Sequence, residues 1–280
     1  MEVIKEVIAP VRIDFAGGTT DIRPFTFDHG GAVLNATINH YVHGKLLAND
    51  KGVGLSYSAN VPTSSGLGTS GVMNLVWLAL ISQHKDKIQL AESVYNLEQA
   101  TGLVGGKQDQ YAAAVGGINF FEFKGDSVRV IPLNLDKKTI HELEEKLVLV
   151  YTGAHYSGML NKFSIDNLLR GKNTNNLLRI KEIAYQMKNA LLQKKLLSFA
   201  ELMDEETKQR KKLHKSIVPK SVDDLIEKGK KHGAISAKVC GAGGGGSVLF
   251  FTEDRKKMEK VFKKKIINFK FEFKGLRFLS

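Results

Sequence analysis

Runs of β-branched and aromatic residues, separated by glycine and other turn residues, mark strands in the first half of the 280-residue chain. Branched and aromatic side chains favour strands because they pack well on a pleated surface. The pattern predicts strands over residues 3–15, 32–47, 53–57, 118–123, 128–133 and 147–151. The first half of the chain is therefore built around a sheet.

Three helices are predicted between these strands. The segment from Thr69 or Ser70 to Ile81 is apolar nearly all round, which indicates a buried helix. Residues 88–101 place their apolar side chains on one face, and Gly102 is a suitable stop. A short helix over residues 108–115 ends at a pair of glycines.

The second half of the chain is richer in helix. Its patterns predict helices over residues 174–195, 198–213, 221–232 and 255–267, and strands over 237–239, 247–251 and 269–273. Strands with helices laid on one face predict an α+β fold. We expect two domains, residues 1–150 and 151–280, with the boundary between about residues 145 and 160.

Composition restricts the classes of protein to which the chain can belong. With 42% hydrophobic and 25% charged residues, it has the composition of a globular protein. A single cysteine, Cys240, excludes an internal disulfide framework and favours a reducing compartment. The most apolar run, residues 72–81, is shorter than the roughly 20 residues that span a bilayer. We therefore expect a cytoplasmic protein with no membrane partner.

The formal net charge of +12 comes from the second half of the chain. Residues 1–136 contain 10 basic and 13 acidic residues, and the remainder contains 31 and 16. The basic residues fall on helix-like patterns, such as residues 208–212 and 255–265, with apolar residues between them. We therefore expect solvated amphipathic helices and no nucleic-acid partner. The positive charge still suits anionic substrates such as sugar phosphates and nucleotides.

A glycine- and serine-rich loop over residues 62–71 leads directly into the predicted buried helix. Glycines let backbone amides approach a ligand closely, and a helix N-terminus attracts anions. The combination suits a nucleotide polyphosphate, although it is not a Walker loop because no Gly-Lys-Ser/Thr closes it. On its own, the loop could equally be a turn that caps a core helix.

A second glycine run, residues 241–246, has five glycines in six positions. So many glycines would be wasteful in a plain hairpin, because glycine costs backbone entropy on folding. Close backbone approach to a ligand or to the first loop is the better interpretation. We interpret the neighbouring Cys240 as a packing residue, since no partner that would activate a nucleophile can be named.

Polar residues near the N-terminus and before the short helix supply further candidates. Arg12 and Asp14 alternate with apolar residues on one strand, and an arginine there is a fixed cation for a carboxylate or phosphate. Thr20 and Asp21 follow on a Gly-Gly turn and could bind sugar hydroxyls. Two further acids, Glu98 and Asp109, suggest one Mg²⁺ ligand and one base or orienting group.

In this order, the elements resemble the signatures of the GHMP kinases, the superfamily of galactokinase, homoserine kinase and mevalonate kinase. The Ala-Pro-x-Arg strand lies at residues 9–12, the Pro-x-x-x-Gly-Leu-Gly-x-Ser loop at 62–70, and the glycine-rich motif at 241–246. The run Phe-Ala-Gly-Gly-x-Thr-Asp at residues 15–21 is similar to the branch that acts on heptose 7-phosphate, as is Gln-Asp-Gln-Tyr at 108–111.

The resemblance implies an α+β fold with two domains. The N-terminal, ATP-binding domain would contain a left-handed β-α-β unit, and the C-terminal domain would be ferredoxin-like. The resemblance also implies a site between the domains, where the γ-phosphoryl group of ATP passes to the anomeric hydroxyl of a sugar with Mg²⁺ bound.

Carried over position by position, the resemblance implies a role for each candidate residue. Asp109 would be the catalytic base or orienter of the attacking hydroxyl, and Arg12 would steady the transferring charge. Mg²⁺ would be held by Ser70 and Glu98. The nucleotide would be bound by Pro62, Ser64, Ser65, Gly66, Leu67, Gly68, Thr69 and Ser70. The sugar would be bound by Gly17, Gly18, Thr20, Asp21, Gly243 and Gly244.

The chain departs from the heptose branch in three places. It is shorter than we expect, and residues 154–157 lack an arginine expected there. The loop carries Thr69 and Gly71 where serine, and serine or alanine, are usual. No motif ranks the candidates for the distal phosphate of the sugar, which are Lys107, His43, Lys45 and Lys162.

Alternative functions stay open. The chain could be a GHMP kinase for an unphosphorylated sugar such as galactose or fucose. It could also be a nucleotide-binding regulator without catalysis, or a nucleic-acid binder that uses the basic half. Retention of Arg12, Ser70, Glu98 and Asp109 together favours an enzyme, because a pure binder does not need all four. The oligomeric state is undetermined, with a homodimer as one option.

Overall fold

The computed structural model describes residues 2–154 and 159–279. Ten strands are assigned in these ranges: β1 Glu2–Ala16, β2 Gly31–Asn49, β3 Gly52–Ala59, β4 Ile118–Lys124, β5 Ser127–Pro132, β6 Leu147–Gly153, β7 Ala234–Val239, β8 Gly246–Thr252, β9 Ile266–Ile267 and β10 Arg277–Phe278. The first five strands match the sequence prediction to within a few residues.

Ten α-helices are assigned in the same ranges: α1 Phe25–Asp28, α2 Thr69–Ile81, α3 Lys87–Ala100, α4 Gln108–Val115, α5 Lys137–Lys146, α6 Leu160–Leu169, α7 Thr174–Leu192, α8 Leu196–Leu213, α9 Lys220–Lys231 and α10 Arg255–Phe262. A 3₁₀ turn, Lys263–Lys265, follows α10. None of the helices in the described ranges combines the length and the apolar character needed to cross a bilayer.

A six-stranded antiparallel sheet forms the larger half of the fold, in the order β10-β1-β2-β4-β5, with β3 paired to the far end of β2. The long β1 and β2 pair along most of their length, and Arg12 lies opposite Thr37. Helices α2, α4 and α7 pack against these two strands. The apolar residues between them form the main hydrophobic core, so the sheet is a rigid base for the loops at its ends.

A four-stranded antiparallel sheet, in the order β7-β8-β6-β9, forms the second half. The chain visits these strands as β6, then helices, β7, β8, α10 and β9. This is the ferredoxin-like connection, with α6 to α9 inserted after the first strand. The predicted α+β fold is confirmed. The boundary between the two predicted domains stays a prediction, and β10 at the C-terminus pairs with β1 of the larger sheet.

The C-terminal region differs from its prediction in two respects. The predicted helix over residues 255–267 ends at Phe262, because Lys263 adopts a positive φ of 45° and β9 then pairs with β6. The predicted strand over residues 269–273 is also wrong. Phe269 and Phe271 are buried in alternation, as in a strand, but the segment makes only an isolated bridge with Ile38. The segment therefore shows the alternating burial of a strand although it does not pair with a neighbouring strand through a ladder of backbone hydrogen bonds.

Other differences are local. The sequence analysis left out α1, α5, α6 and β10. It also treated the basic residues of α8 as solvated, which is wrong for Arg210, whose exposed fraction is 1%. The reason is helical phase, because Arg210 shares the buried face of α8 with Phe199, Met203 and Leu213.

The packing of α9 on the smaller sheet predicts the effect of Gly229→Ala. Alanine normally stabilises a helix interior by roughly 1 kcal/mol relative to glycine. Here the added Cβ would lie 2.3 Å from Cε1 of the buried Phe250, whose ring stacks on Phe262. Overpacking costs about 1–3 kcal/mol, so we expect the variant to be less stable by about 1 kcal/mol. Urea unfolding measures the change, with the exposed Glu227→Ala as control. A variant as stable as the wild type would contradict the described packing.

Candidate active site

A cleft of about 630 Å³ opens between loop 62–71 and the segments that face it. Its other walls come from the N-terminal turn, α3, the start of α4 and one residue each of α6 and α8. Most of the predicted site residues line it: Arg12, Asp21, Pro62, Ser64, Ser65, Gly66, Gly68, Thr69, Ser70, Glu98 and Asp109. Six others are not among the lining residues: Gly17, Gly18, Thr20, Leu67, Gly243 and Gly244.

Loop 62–71 presents the start of α2 to the cleft. Gly68 precedes the helix with a φ of 76° and supplies no side-chain cap. The first-turn N–H groups are therefore available to an anion. The hydroxyls of Ser65 and Thr69 are buried and have no hydrogen-bond partner among the described residues. Unpaired buried donors beside a helix N-terminus suit the oxygen atoms of a polyphosphate.

The two glycine-rich loops contact each other directly. A Cβ on Gly66 would lie 2.9 Å from the carbonyl oxygen of Cys240, and one on Gly241 would lie 2.7 Å from the carbonyl oxygen of Gly66. Both residues have positive φ, which favours glycine. The close approach expected from the second glycine run is thus confirmed. Farther along this run, Gly244 donates its N–H to the carbonyl oxygen of Ile217, 2.7 Å away.

An ion pair between Arg12 and Asp109 lies at the floor of the cleft. The Nε and Nη2 atoms of Arg12 are 2.8 and 2.6 Å from Oδ1 of Asp109. Burial opposes the charge of Arg12, but the carboxylates of Asp109 and Asp14 outweigh it and raise the pKa of the guanidinium. A Cβ on Gly71 would lie 2.9 Å from Cβ of Asp109. The glycine at this unusual position therefore lets α2 approach the ion pair.

Glu98 and Ser70 are the predicted metal ligands, and both line the cleft. The carboxylate of Glu98 accepts hydrogen bonds from Asn74 Nδ2 at 2.7 Å and from Gln110 Nε2 at 2.5 Å. Burial raises the pKa of Glu98, and the charge of Asp109 adds to this effect.

These residues fit an Mg²⁺ ion that is shared with substrate phosphates. No cluster of three or more acidic, histidine or cysteine ligands occurs within residues 2–154 and 159–279. Mg²⁺ typically binds one or two carboxylates and completes its coordination with water and phosphate oxygens. The oxygen donors of Glu98 and Ser70 meet that requirement, and a cation would relieve the cost of the buried Glu98 charge.

Asp21 also lines the cleft and is buried to an exposed fraction of 2%. Its Oδ2 accepts a hydrogen bond from the backbone N–H of Gln108 at 3.0 Å. Oδ1 has no partner among the residues that the structure describes. Burial raises the pKa of Asp21 to about 7, although the Gln108 N–H opposes the shift, and the charges of Asp109 and Asp14 add to it. Asp21 thus offers one free acceptor to a ligand hydroxyl.

The other predicted sugar-binding residues shape the turn that carries Asp21. Thr20 donates its hydroxyl to the carbonyl oxygens of Gly17 and Ala32, at 2.7 and 3.0 Å. A Cβ on Gly17 would overlap the carbonyl oxygen of Ala32, and one on Gly18 would lie 2.6 Å from Oδ2 of Asp14. These three residues therefore fix the backbone beside the cleft.

The four basic residues considered for a distal phosphate lie outside the cleft lining. The ammonium of Lys107 donates to both oxygens of Glu92, at 2.7 and 2.9 Å, and to the carbonyl oxygen of Asp126. His43 and Lys45 contact Glu6, and Lys162 pairs with Asp166. The segment expected to hold an arginine is described only at Ala154, and residues 155–157 lie outside the described residues.

The cleft-lining residues that sequence reasoning did not propose for the site include two with polar side chains on helices of the second half, Asn161 and Arg210. Asn161 lies on α6, which the sequence analysis did not predict. For Arg210 a signal was present, because it lies seven residues after Met203 on the apolar face of α8. A charged residue at an apolar phase of a helix is a reason to expect a buried partner.

Comparisons with known proteins agree with this arrangement. The model for the GHMP kinases N terminal domain matches residues 32–117, and the model for GHMP kinases C terminal matches residues 187–264. The chain belongs to the GHMP kinase family. The two matched regions contain, respectively, the loop with its neighbouring acids, and α8 with the second glycine run.

Individual relatives cover most of this GHMP kinase. A D-glycero-alpha-D-manno-heptose 7-phosphate kinase from Campylobacter jejuni is 28% identical, over 89% of each chain. A bifunctional fucokinase/GDP-fucose pyrophosphorylase from Arabidopsis thaliana is 26% identical over 91% of this chain and 30% of its own length. The crystal structure of a D-glycero-D-manno-heptose 1-phosphate kinase from Bacteroides thetaiotaomicron has a TM-score of 0.75, with 25% identity over 99% of both chains.

The raised pKa of Asp21 predicts the effect of pH on stability. Between about pH 4 and 7 the folded protein holds a proton that the unfolded chain, with a pKa near 3.8, has released. The contribution of Asp21 to stability therefore falls as the pH rises through this window, and above it the whole cost of the buried charge is present. Asp21→Asn removes that cost. We expect the variant to be more stable than the wild type at pH 8, by roughly 1–4 kcal/mol, and similar at pH 4.5.

Urea unfolding of both proteins at the two pH values measures this difference. The exposed Asp50→Asn is the control, for which we expect no change at either pH. A stability difference between Asp21→Asn and wild type that is the same at pH 4.5 and pH 8 would contradict the buried, proton-binding environment of Asp21.

Proposed function

We propose that this GHMP kinase transfers the γ-phosphoryl group of ATP to the anomeric hydroxyl of a sugar phosphate, D-glycero-D-manno-heptose 7-phosphate. The product would be the 1,7-bisphosphate. The observation that carries the proposal is the Arg12–Asp109 ion pair, which lines the same cleft as loop 62–71 and Asp21.

Each side chain in the cleft has a task in this reaction. Phosphoryl transfer depends mainly on positioning and on neutralising charge. The carboxylate of Asp109 orients the attacking hydroxyl and takes its proton, while Arg12 holds that carboxylate in place and offsets the charge that develops on the transferred group. Asp21 accepts a sugar hydroxyl through its unpaired Oδ1.

Loop 62–71 and α3 complete the nucleotide side. The backbone N–H groups at the start of α2 bind the phosphates, and the hydroxyls of Ser65 and Thr69 donate to their oxygens. Ser70 and Glu98 would hold Mg²⁺, which neutralises phosphate charge when bound. The glycines at positions 66 and 68 keep side chains away from this part of the cleft.

The choice of sugar rests on the relatives. The Campylobacter jejuni protein, a heptose 7-phosphate kinase by name, aligns over 89% of both chains. The fucokinase relatives support the second candidate, an unphosphorylated sugar such as fucose or galactose. A non-catalytic nucleotide-binding protein is disfavoured because the Arg12–Asp109 pair has no evident use in nucleotide binding alone.

Asp109→Asn tests the reaction. The amide keeps the size of the side chain but cannot take the proton, so we expect kcat to fall by about 10²–10⁴-fold. Nucleotide binding, measured by calorimetry, should persist because loop 62–71 is unchanged. The exposed Asp223→Asn is the matched control and should keep full activity. Full turnover by the Asp109 variant would remove it from the mechanism.

A panel of acceptors tests the substrate. ADP release with Mg²⁺ and ATP is measured for heptose 7-phosphate, mannose 6-phosphate, free heptose, galactose, fucose and mevalonate. We expect turnover with heptose 7-phosphate and a new phosphate at C1, seen by ³¹P NMR. Turnover confined to free fucose or galactose would support the kinase activity and overturn the proposed acceptor sugar. An absence of ADP release with every acceptor would favour the non-catalytic alternative.

A further inference from the structure

A buried arginine on α8 faces the cleft. Arg210 has an exposed fraction of 1%, yet it is one of the residues that line the cavity. Its Nη2 donates to the carbonyl oxygen of Gly241 at 2.6 Å, which ties α8 to the second glycine loop. On the Nη1 side it faces Gly18 and Thr19, on the turn that carries Asp21.

The hydrogen-bonding capacity of this guanidinium is largely unused. Arginine has five N–H donors, and a buried donor without a partner costs free energy. The contacts of Nη1 with the Gly18 carbonyl and the Thr19 hydroxyl are both 3.5 Å, longer than an ordinary N–H···O bond. Nε has no hydrogen-bond partner among the described residues. Only the contact with Gly241 is short.

The charge of Arg210 is also only loosely neutralised. Two buried carboxylates lie nearby, with Asp14 Oδ2 at 4.0 Å and Glu206 Oε1 at 3.7 Å. A second buried cation, Lys238, is closer to both, at 3.5 Å from Asp14 and 3.2 Å from Glu206. Neither carboxylate forms a close, hydrogen-bonded ion pair with Arg210, so the N–H donors of its guanidinium stay available to an anionic ligand.

Among the described lining residues, Arg12 and Arg210 are the two that carry a positive charge. Arg12 is held by Asp109 at 2.6 Å, within ordinary salt-bridge distance. Arg210 lies on the acceptor side, since the point where a Gly18 Cβ would sit is 3.2 Å from its Nη2 and 3.3 Å from Nε2 of Gln108. Gln108 in turn holds Asp21 through its backbone N–H.

We propose that Arg210 binds the phosphate group of the acceptor sugar and so selects a phosphorylated sugar over a free one. This assignment rests on the proposed function, which it deepens by naming the residue that recognises the distal phosphate. The planar guanidinium suits phosphate because two of its N–H groups can donate to two phosphate oxygens. The unfilled donors of Arg210 are satisfied when that phosphate is bound.

The test compares acceptor preference in Arg210→Gln and Arg210→Lys with that of the wild type. For each enzyme, kcat and KM are measured with heptose 7-phosphate and with free heptose. We expect Arg210→Gln to lower kcat/KM for the phosphorylated sugar on the order of 10–100-fold, mainly through KM. The value for free heptose should stay within about threefold. Arg210→Lys keeps the positive charge but lacks the planar guanidinium, so its kcat/KM for the phosphorylated sugar should fall less.

Two controls separate recognition from folding. Lys211→Gln removes an exposed charge next along α8, which pairs with Asp223, and should leave both acceptors unaffected. Thermal unfolding shows whether each variant is folded. Should Arg210→Gln be unfolded because Asp14 and Glu206 lose a cation, the comparison is made with Arg210→Lys, where a preference unchanged from wild type would overturn the proposal.

The outcomes distinguish this inference from the proposed function. A wild type that prefers heptose 7-phosphate, with a variant that loses the preference, supports both. A wild type with that preference and a folded variant whose kcat/KM falls equally for both acceptors overturns the role of Arg210 alone, since a structural or ATP-binding role has that signature. A wild type that uses only free sugars overturns the proposed substrate and, with it, a phosphate at Arg210.

Discussion

The buried residue Arg12 makes the contacts on which the arrangement of the cleft depends. The backbone N–H of Arg12 donates to the carbonyl oxygen of Leu67 at 3.1 Å, Nη1 donates to the carbonyl oxygen of Gly66 at 2.9 Å, and Nε and Nη2 contact Asp109. A buried charge must be paired and hydrogen-bonded, because its desolvation is costly. One residue on β1 therefore fixes loop 62–71 and the start of α4 at the same place.

The smaller sheet contributes to the cleft in two ways, through the backbone of its glycine loop and through buried charged side chains. Its glycine loop packs on loop 62–71 at Gly66 and Gly241, where side chains would not fit. The buried cations Lys238 and Arg210 approach Asp14 on β1, which joins the two sheets electrostatically. Buried ion pairs add little net stability, because desolvation offsets their attraction. Their value here is in holding charged groups of the two sheets at defined positions beside the ligand.

Acidic side chains are crowded together in this cleft. Asp21, Glu98 and Asp109 all line it, and burial raises the pKa of the first two. Such crowding costs stability in the free protein and is relieved by ligands that bring cations or hydroxyl donors. A metal–nucleotide complex and a polyhydroxylated acceptor have that chemistry. The proposed ligands would therefore relieve a crowding of acidic groups that costs the free protein stability.

Much of the fold and the site could be predicted from the sequence, because the signals are local. Loop 62–71 and the apolar helix that follows it are contiguous, so the glycine-rich turn before a buried helix could be predicted without knowledge of the fold. The β1 prediction succeeded for the same reason, since its β-branched residues continue through Arg12. The residues of the GHMP signatures are spaced along the chain, and together they indicated the family. The family in turn predicted the ferredoxin-like second half.

Only the tertiary structure decided which basic residue besides Arg12 faces the cleft. Lys107 looked suitable for a phosphate and is instead held by Glu92, while Arg210 looked solvated and is instead buried beside Gly241. The C-terminal segment around Phe271 has the alternation of a strand, yet it packs on the core without a ladder. In each case the deciding contact joins residues far apart in the chain. A local pattern indicates whether the side chains of a segment are exposed to water or buried in the core. It does not indicate which residue from a distant part of the chain they contact.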